Sequence, residues 1–401
     1  MNHSANRRVL ISGASIAGPT LAYWLHQYGF EVTVVEKATH VRGGGYPVDV
    51  RGTALGVVDR MGLLARLREV RVDTRRVSFV DSAGAPIGTI RPEQVTGGET
   101  DRDVEIRRGD LADALYTPIR DAVEFRFGDS IATLTDHGDR VDVVFRGGDR
   151  RTFDLVIGAD GLHSRTRGLA FGPEETFHHY LGSAFAGFTL PGDLGLAHEV
   201  VAWNAPGRAA VLFAQEPGES LHGFLVFTRE TPPFDAFRNP SAQRDLVAAM
   251  FPERSWEVPR LVAAMREADD LFFDVVSQIR MPAWSAGRVA LVGDAAFAPS
   301  FLSGQGSSVA LVAAYVLAGE LARHADHTAA FAAYEKVARP FVERNQALAT
   351  DGSSVFPTTR EALDARDAAL RAASGSTPPS GAAARNAVHT SLVLPDYPRP
   401  A

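Results

Sequence analysis

The hydrophobic pattern changes period repeatedly along this chain. Val9–Ser12 is a continuous apolar run closed by a glycine turn, Pro19–Tyr28 carries apolar residues at helical spacing, and Glu31–Glu36 alternates as a strand does. That order predicts a β-turn-α-β unit. Leu55–Leu67 predicts a helix, Val77–Ile90 a hairpin turning at Asp81-Ser-Ala-Gly84, and Asp110–Asp121 a further helix. Val123–Phe153 reads as several short strands and Asp154–Ala159 as a buried one. Between residues 176 and 280 the texture shifts to aromatic, β-rich segments (Ser183–Leu190, Glu199–Asn204, Ala209–Ala214, Gly223–Arg229, Leu271–Ile279) separated by Pro/Gly turns. One helical piece lies among them, at Gln243–Phe251. Arg288–Val292 returns to a buried strand, and Val309–Leu321, Thr328–Asp351 and Thr359–Ala373 are helical. The fold class expected is α/β with α+β elements, a sheet-rich segment interrupting a nucleotide-type unit.

Composition narrows the class. At 401 residues the chain has room for two packed domains, and 45% hydrophobic with 22% charged residues is an ordinary globular balance. A net charge of −7 argues against a nucleic-acid or anionic-membrane partner. The absence of cysteine excludes disulfides, thiolate metal sites, a cysteine nucleophile and cysteinyl attachment of a cofactor. The histidines are scattered, and His178-His179 lacks partners at metal-ligand spacing, so no metal is expected. Met1–Arg8 runs straight into Val9-Leu-Ile11 without a signal-peptide stretch, which makes the cytoplasm the expected location. Val309–Leu321 is shorter than the roughly 20 residues a bilayer demands, so a buried helix and no membrane partner are expected.

Three separated stretches carry the chemistry. In Gly13-Ala-Ser-Ile-Ala-Gly18, Gly13 permits a sharp turn out of the strand and Gly18 a close helix–sheet approach, while Ser15, Ile16 and Ala17 complete the loop. The helix start offers free N–H groups to a pyrophosphate. Glu36, with Lys37 beside it, ends the next strand where a carboxylate can accept ribose hydroxyls. Ser15 occupies the middle glycine site of G-x-G-x-x-G, and serine is small enough for a phosphate to approach. The second stretch is Asp160-Gly-Leu-His-Ser-Arg-Thr-Arg167, and the third runs from Gly293-Asp294 to Ser303-Gly304-Gln305-Gly306.

Asp160, Gly161, Ser164 and Arg167 resemble the D-G-x-x-S-x-x-R fingerprint of class A flavoprotein monooxygenases, the family of para-hydroxybenzoate hydroxylase and the tetracycline-inactivating monooxygenases. The resemblance implies that Asp160 and Arg167 hold the FAD pyrophosphate region and take part in NAD(P)H binding. It implies that Asp294 bonds the ribityl hydroxyls, and that the helix start at Gly304, Gln305 and Gly306 faces the flavin. Arg42, before Gly43-Gly-Gly45, resembles an arginine near the flavin ring and pyrophosphate. Arg108 resembles one that contacts FAD, with Arg107 as an alternative. The chain departs from the family pattern at Phe297, where histidine is common, and at Ser300, where proline is usual, with Pro299 one place earlier.

The fold thereby implied is a Rossmann-like FAD-binding domain with an inserted mixed β-sheet substrate domain and C-terminal helices. FAD-binding parts are expected at 1–75, 101–175 and 281–373 (the last including the C-terminal helices). The substrate domain is expected at 76–100 (a hairpin) and 176–280, and an irregular tail at 374–401. The function implied is a single-component monooxygenase using FAD, NADPH or NADH, and O2 to hydroxylate a phenolic or polycyclic aromatic molecule through a flavin C4a-hydroperoxide. The flavin carries the chemistry, so no catalytic side chain is assigned. Phe185, Phe213, Phe224, Phe297, Pro299 and Phe301 are candidates for the substrate pocket, and a monomer or homodimer is expected. The alternatives are a reductase or dehydrogenase of related fold, Baeyer-Villiger-type oxygenation of a polycyclic ketone, and a non-catalytic FAD-containing binding protein.

Overall fold

The computed structural model describes residues 7–41, 43, 45–99, 102–237, 239–350, 356–372 and 382–397. Two large sheets organise them. In the first, the strands run in the order Ser285–Ala286, Val289–Leu291, Leu155–Gly158, Arg8–Ser12, Glu31–Glu36, Glu124–Phe127. All neighbours are parallel except the short Ser285–Ala286 edge. Arg8–Ser12 pairs on both sides, with Leu155–Gly158 and Glu31–Glu36, so these strands are buried on both faces and read as nearly unbroken apolar runs.

Helix Ala17–Gln27 covers one face of this sheet together with the predominantly apolar helix Gly306–Arg323. The latter is buried from Ser307 to Leu321, a stretch apolar all round its central turns and broken only near its ends by Ser307, Ser308 and Glu320. On the opposite face a three-stranded sheet, Ile131–Asp136, Val141–Phe145 and Arg150–Phe153, closes a smaller core.

The second sheet has seven strands in the order Phe272–Ile279, His178–Leu190, Leu221–Thr228, Arg208–Ala214, Glu199–Ala205, Arg76–Val80, Pro86–Ile90. It is mixed: Glu199–Ala205 and Arg76–Val80 are parallel, and the other pairs antiparallel. Alternation of side chains sorts its aromatics onto two faces. Phe188, Trp203 and Phe227 pack under helices Pro240–Met250 and Val258–Glu267, whereas Phe79, Phe185 and Phe224 form the other face with Tyr46, Phe213 and Leu302 against it.

The expected helix over Leu55–Leu67 is two helices, Thr53–Arg60 and Leu64–Glu69. Gly62 takes φ +74°, and the Gly62 and Leu63 N–H groups close back onto Asp59 and Val58, which stops the first helix. A two-stranded antiparallel ribbon, Pro47–Val50 with Val104–Arg107, was not anticipated. Nor was the tail wholly irregular: Ala382–His389 is a helix, because its run of alanines favours one despite the Pro/Ser/Gly-rich surroundings. Beyond it, Tyr397 lies against Gly319 and donates to Glu320 (2.6 Å). No helix among the described residues is long and apolar enough to cross a membrane.

Candidate active site

The carboxyl ends of three adjacent parallel strands, Arg8–Ser12, Leu155–Gly158 and Val289–Leu291, deliver the three sequence stretches to one place. The approach is close enough to need glycine. A Cβ on Gly13 (φ +109°) would stand 2.4 Å from the Ala159 carbonyl oxygen, and one on Gly18 would stand 1.9 Å from that of Gly13. The third stretch abuts the first, since a Cβ on Gly293 would lie 3.0 Å from that of Ala17. Ile16 caps helix Ala17–Gln27 without a side-chain bond, leaving the first-turn N–H groups available.

Around this junction the predicted residues take distinct positions. Glu36 receives N–H bonds from Ala14 and Ala38, both 2.9 Å, one on each oxygen, so its carboxylate is fixed against the loop. Lys37 beside it is exposed. Ser15, in the middle glycine site, accepts a bond from the Arg108 guanidinium at 2.8 Å. Arg107 points elsewhere, to Gln215 (2.5 Å) and Glu219 (2.6 Å), so of the two arginines it is Arg108 that reaches the glycine loop. Gly45 (φ +88°) passes beside Arg108, and Arg42 lies outside the described residues.

Asp294 is accessible to solvent and yet densely surrounded by protein, which places it in a concavity. Enclosure raises its pKa; the Arg108 charge opposes that shift and Asp274 adds to it. A Cβ on Gly306 would sit 3.9 Å from its Oδ1, so the carboxylate stands at the start of helix Gly306–Arg323. Gln305 is the N-cap of that helix, with its Oε1 buried and unpartnered, and Gly304 adopts φ +65°. Uncapped helix starts, an enclosed accessible carboxylate and an orphaned amide oxygen are what a long, polar, phosphate-bearing cofactor such as FAD would complete.

The side chains of the Asp160–Arg167 stretch make most of their bonds within the protein. Asp160 binds Ser164 Oγ (2.5 Å) and the N–H and hydroxyl of Thr166 (both 2.9 Å), and Ser164 caps the helix that follows. Arg167 is fully buried. Its guanidinium donates to Ala295 O (3.0 Å), Leu162 O (2.8 Å) and Glu174 (2.6 Å), bracing the second stretch against the third. Both terminal nitrogens of the guanidinium thus hold the second and third stretches together, while its Nε is buried without a partner.

His163 was missed as a site residue. Its two ring nitrogens bond Glu174 (2.7 Å) and, across to the seven-stranded sheet, Asp274 (3.1 Å), and a ring that donates at both nitrogens is protonated. Those bonds, Asp274 first, raise its pKa to about 10, with burial opposing. A histidine with its folded pKa above the unfolded value contributes stability fully below about 6.5. That contribution disappears as pH climbs through about 10. Thermal melts should therefore show the wild type losing Tm more steeply than His163→Gln between pH 7 and 10; parallel profiles would refute the pairing.

Four predicted aromatics meet on the inner face of the seven-stranded sheet. Phe301 stacks on Phe185 (4.9 Å) and Phe224 (5.9 Å), and Phe213 meets Phe224 edge-on at 5.5 Å. Phe301 remains 37% exposed and is the aromatic of this group that a ligand could contact most freely. Phe297 does not join them. It packs on Trp284 (4.5 Å) beside a separate cavity of about 340 Å³, because its short helix turns it into the nucleotide-type core. Pro299 is buried, with its carbonyl held by Gln278 (3.1 Å), and it leads into Ser300, a non-glycine residue at φ +87°. That strained backbone, unnoticed in sequence, aims Phe301 at the aromatic face.

A family profile described as an FAD binding domain matches residues 6–349. A flavin-dependent monooxygenase from an unknown prokaryotic organism is 40% identical over 352 residues, covering 87% of this chain and 90% of its own length. The uncharacterized protein Rv1260 of Mycobacterium tuberculosis is 44% identical over 347 residues, covering 86% and 93%. The crystal structure of tetracycline destructase Tet(55) superposes with a TM-score of 0.84 at 35% identity, across 99% of this chain and 100% of that one. With the motif geometry and these relatives in agreement, the chain belongs to the FAD-binding family of flavin-dependent monooxygenases.

Proposed function

We propose that this enzyme uses NAD(P)H and O2 to hydroxylate a planar phenolic or polycyclic small molecule. The observation that carries the reading is the convergence of three loops at one sheet end, with an aromatic cluster on the neighbouring sheet that exposes Phe301. The first-turn N–H groups after Gly13 would hold the pyrophosphate. Glu36 keeps a second lone pair on each oxygen for ribose hydroxyls, and Asp294 would accept from the ribityl chain. Bound FAD supplies hydride acceptance and oxygen activation; the protein's own work is to orient the partners and exclude water. The start of helix Gly306–Arg323 would favour negative charge gathering nearby, and Phe301, backed by Phe185 and Phe224, would cover a flat face of the substrate. A polycyclic substrate is supported by the names of two solved relatives, the tetracycline destructases Tet(55) and Tet(51), 35% and 30% identical.

Aerobic incubation with a panel of phenols and polycyclic ketones should give substrate-dependent NAD(P)H oxidation, O2 uptake and a product heavier by one oxygen atom. Turnover without O2 uptake would favour a reductase instead. For the cofactor site, Asp294→Ala should weaken FAD retention about ten- to a hundredfold, the worth of one or two charge-assisted bonds. An unchanged flavin-to-protein ratio after dialysis would remove Asp294 from that role.

A further inference from the structure

We propose that Tyr46 is the hydrogen-bond donor that orients a phenolic or enolic oxygen of the substrate, standing between the flavin-side groups Arg108 and Asp294 and the aromatic face of the seven-stranded sheet. The proposal rests on the monooxygenase reading and assigns the polar contact that such a substrate needs. Tyr46 is anchored from both sides. Its carbonyl accepts the Arg108 N–H (3.1 Å), and its ring meets Phe224 edge-on at 5.5 Å. The hydroxyl is another matter. It has no hydrogen-bond partner among the described residues, and the half-buried side chain is not among those whose polar atoms are sealed from solvent.

The surroundings say what that hydroxyl can serve. Phe301, with Phe185 and Phe224 buried behind it, presents no polar atoms, so an oxygen-bearing ring bound against it would surrender hydration without compensation. Asp294 and Asp274 can only accept while ionised, and Arg108 is engaged with Ser15. Tyr46 supplies a neutral donor where these two sets of groups meet. Burial, with Asp294 and Asp274 adding to it and Arg108 opposing, keeps its proton on at working pH. An oxygen substituent directs electrophilic attack to the carbons ortho and para to it, so fixing that oxygen selects which carbon is presented for reaction.

The test compares wild type with Tyr46→Phe, which retains the ring contact, using 2-naphthol and naphthalene as probes in the FAD-loaded protein. Equilibrium dialysis should show about tenfold weaker binding of 2-naphthol by the variant, with naphthalene binding, FAD content and Tm unchanged. Turnover with 2-naphthol should yield more H2O2 per oxygenated product in the variant. Equal 2-naphthol affinity in both proteins, equal weakening for both probes, loss of FAD from the variant, or no 2-naphthol binding by the wild type would each overturn the proposal. Dialysis requires no turnover, so the two readings fail separately. Tyr46-dependent binding without oxygen insertion sinks the monooxygenase reading, and oxygenation indifferent to Tyr46→Phe sinks only the assignment of Tyr46.

Discussion

Replacing Arg167 with alanine should cost about 3–5 kcal/mol of folding stability, the penalty for stripping one partner from a buried ion pair. The guanidinium is fully buried, and its loss leaves the carbonyls of Leu162 and Ala295 without this donor and Glu174 with His163 as its remaining charged partner. Denaturant unfolding of the FAD-free protein is the appropriate measurement, because it separates stability from cofactor affinity. A variant of normal stability that binds FAD poorly would restore the pyrophosphate role that the sequence motif implies.

Gly18→Ala should have a comparably large effect by a different route. The added methyl would fall 1.9 Å from the Gly13 carbonyl oxygen, a backbone atom that cannot swing aside as a side chain would. Either helix Ala17–Gln27 lifts from the sheet or the glycine loop deforms. Overpacking of this severity costs about 3 kcal/mol or more, and the distortion lands on the loop assigned to the pyrophosphate. The expected result is a protein purified largely without flavin and with a clearly lower Tm; near-normal values of both would show that the helix can shift at little expense.

These two positions show how far the sequence could be read. Gly18 was legible because a steric requirement belongs to the residue itself and its near neighbours. Arg167 was legible as a motif position but not in its action, since its partner Ala295 lies 128 residues away in the short helix Asp294–Phe297, whose docking no local pattern reveals. His163 lies inside a stretch that attracted attention, yet its partner Asp274 is 111 residues away. The aromatic face was half visible. Phe185 and Phe188 differ by an odd number, as do Phe224 and Phe227, so strand alternation already separates them, but it does not say which face meets the cleft. Helix Val258–Glu267 carried a usable signal, the proline in its first turn, and was passed over among β-rich neighbours. The Pro47–Val50 and Val104–Arg107 strands are four residues each, and Asp49 faces Glu105 across the pair, so neither looks like a strand alone.

The order of strands in the parallel sheet also governs how the polypeptide can be made. Leu155–Gly158 is flanked by Arg8–Ser12 on one side and by Val289–Leu291 on the other. A nascent chain still lacking that last segment must carry an open strand edge while the intervening residues emerge from the ribosome. Long-range pairing of this kind slows folding and exposes edges that other chains can capture. Growth temperature and chaperone supply during expression should therefore govern the yield of soluble protein more strongly than they would for a chain assembled from contiguous modules.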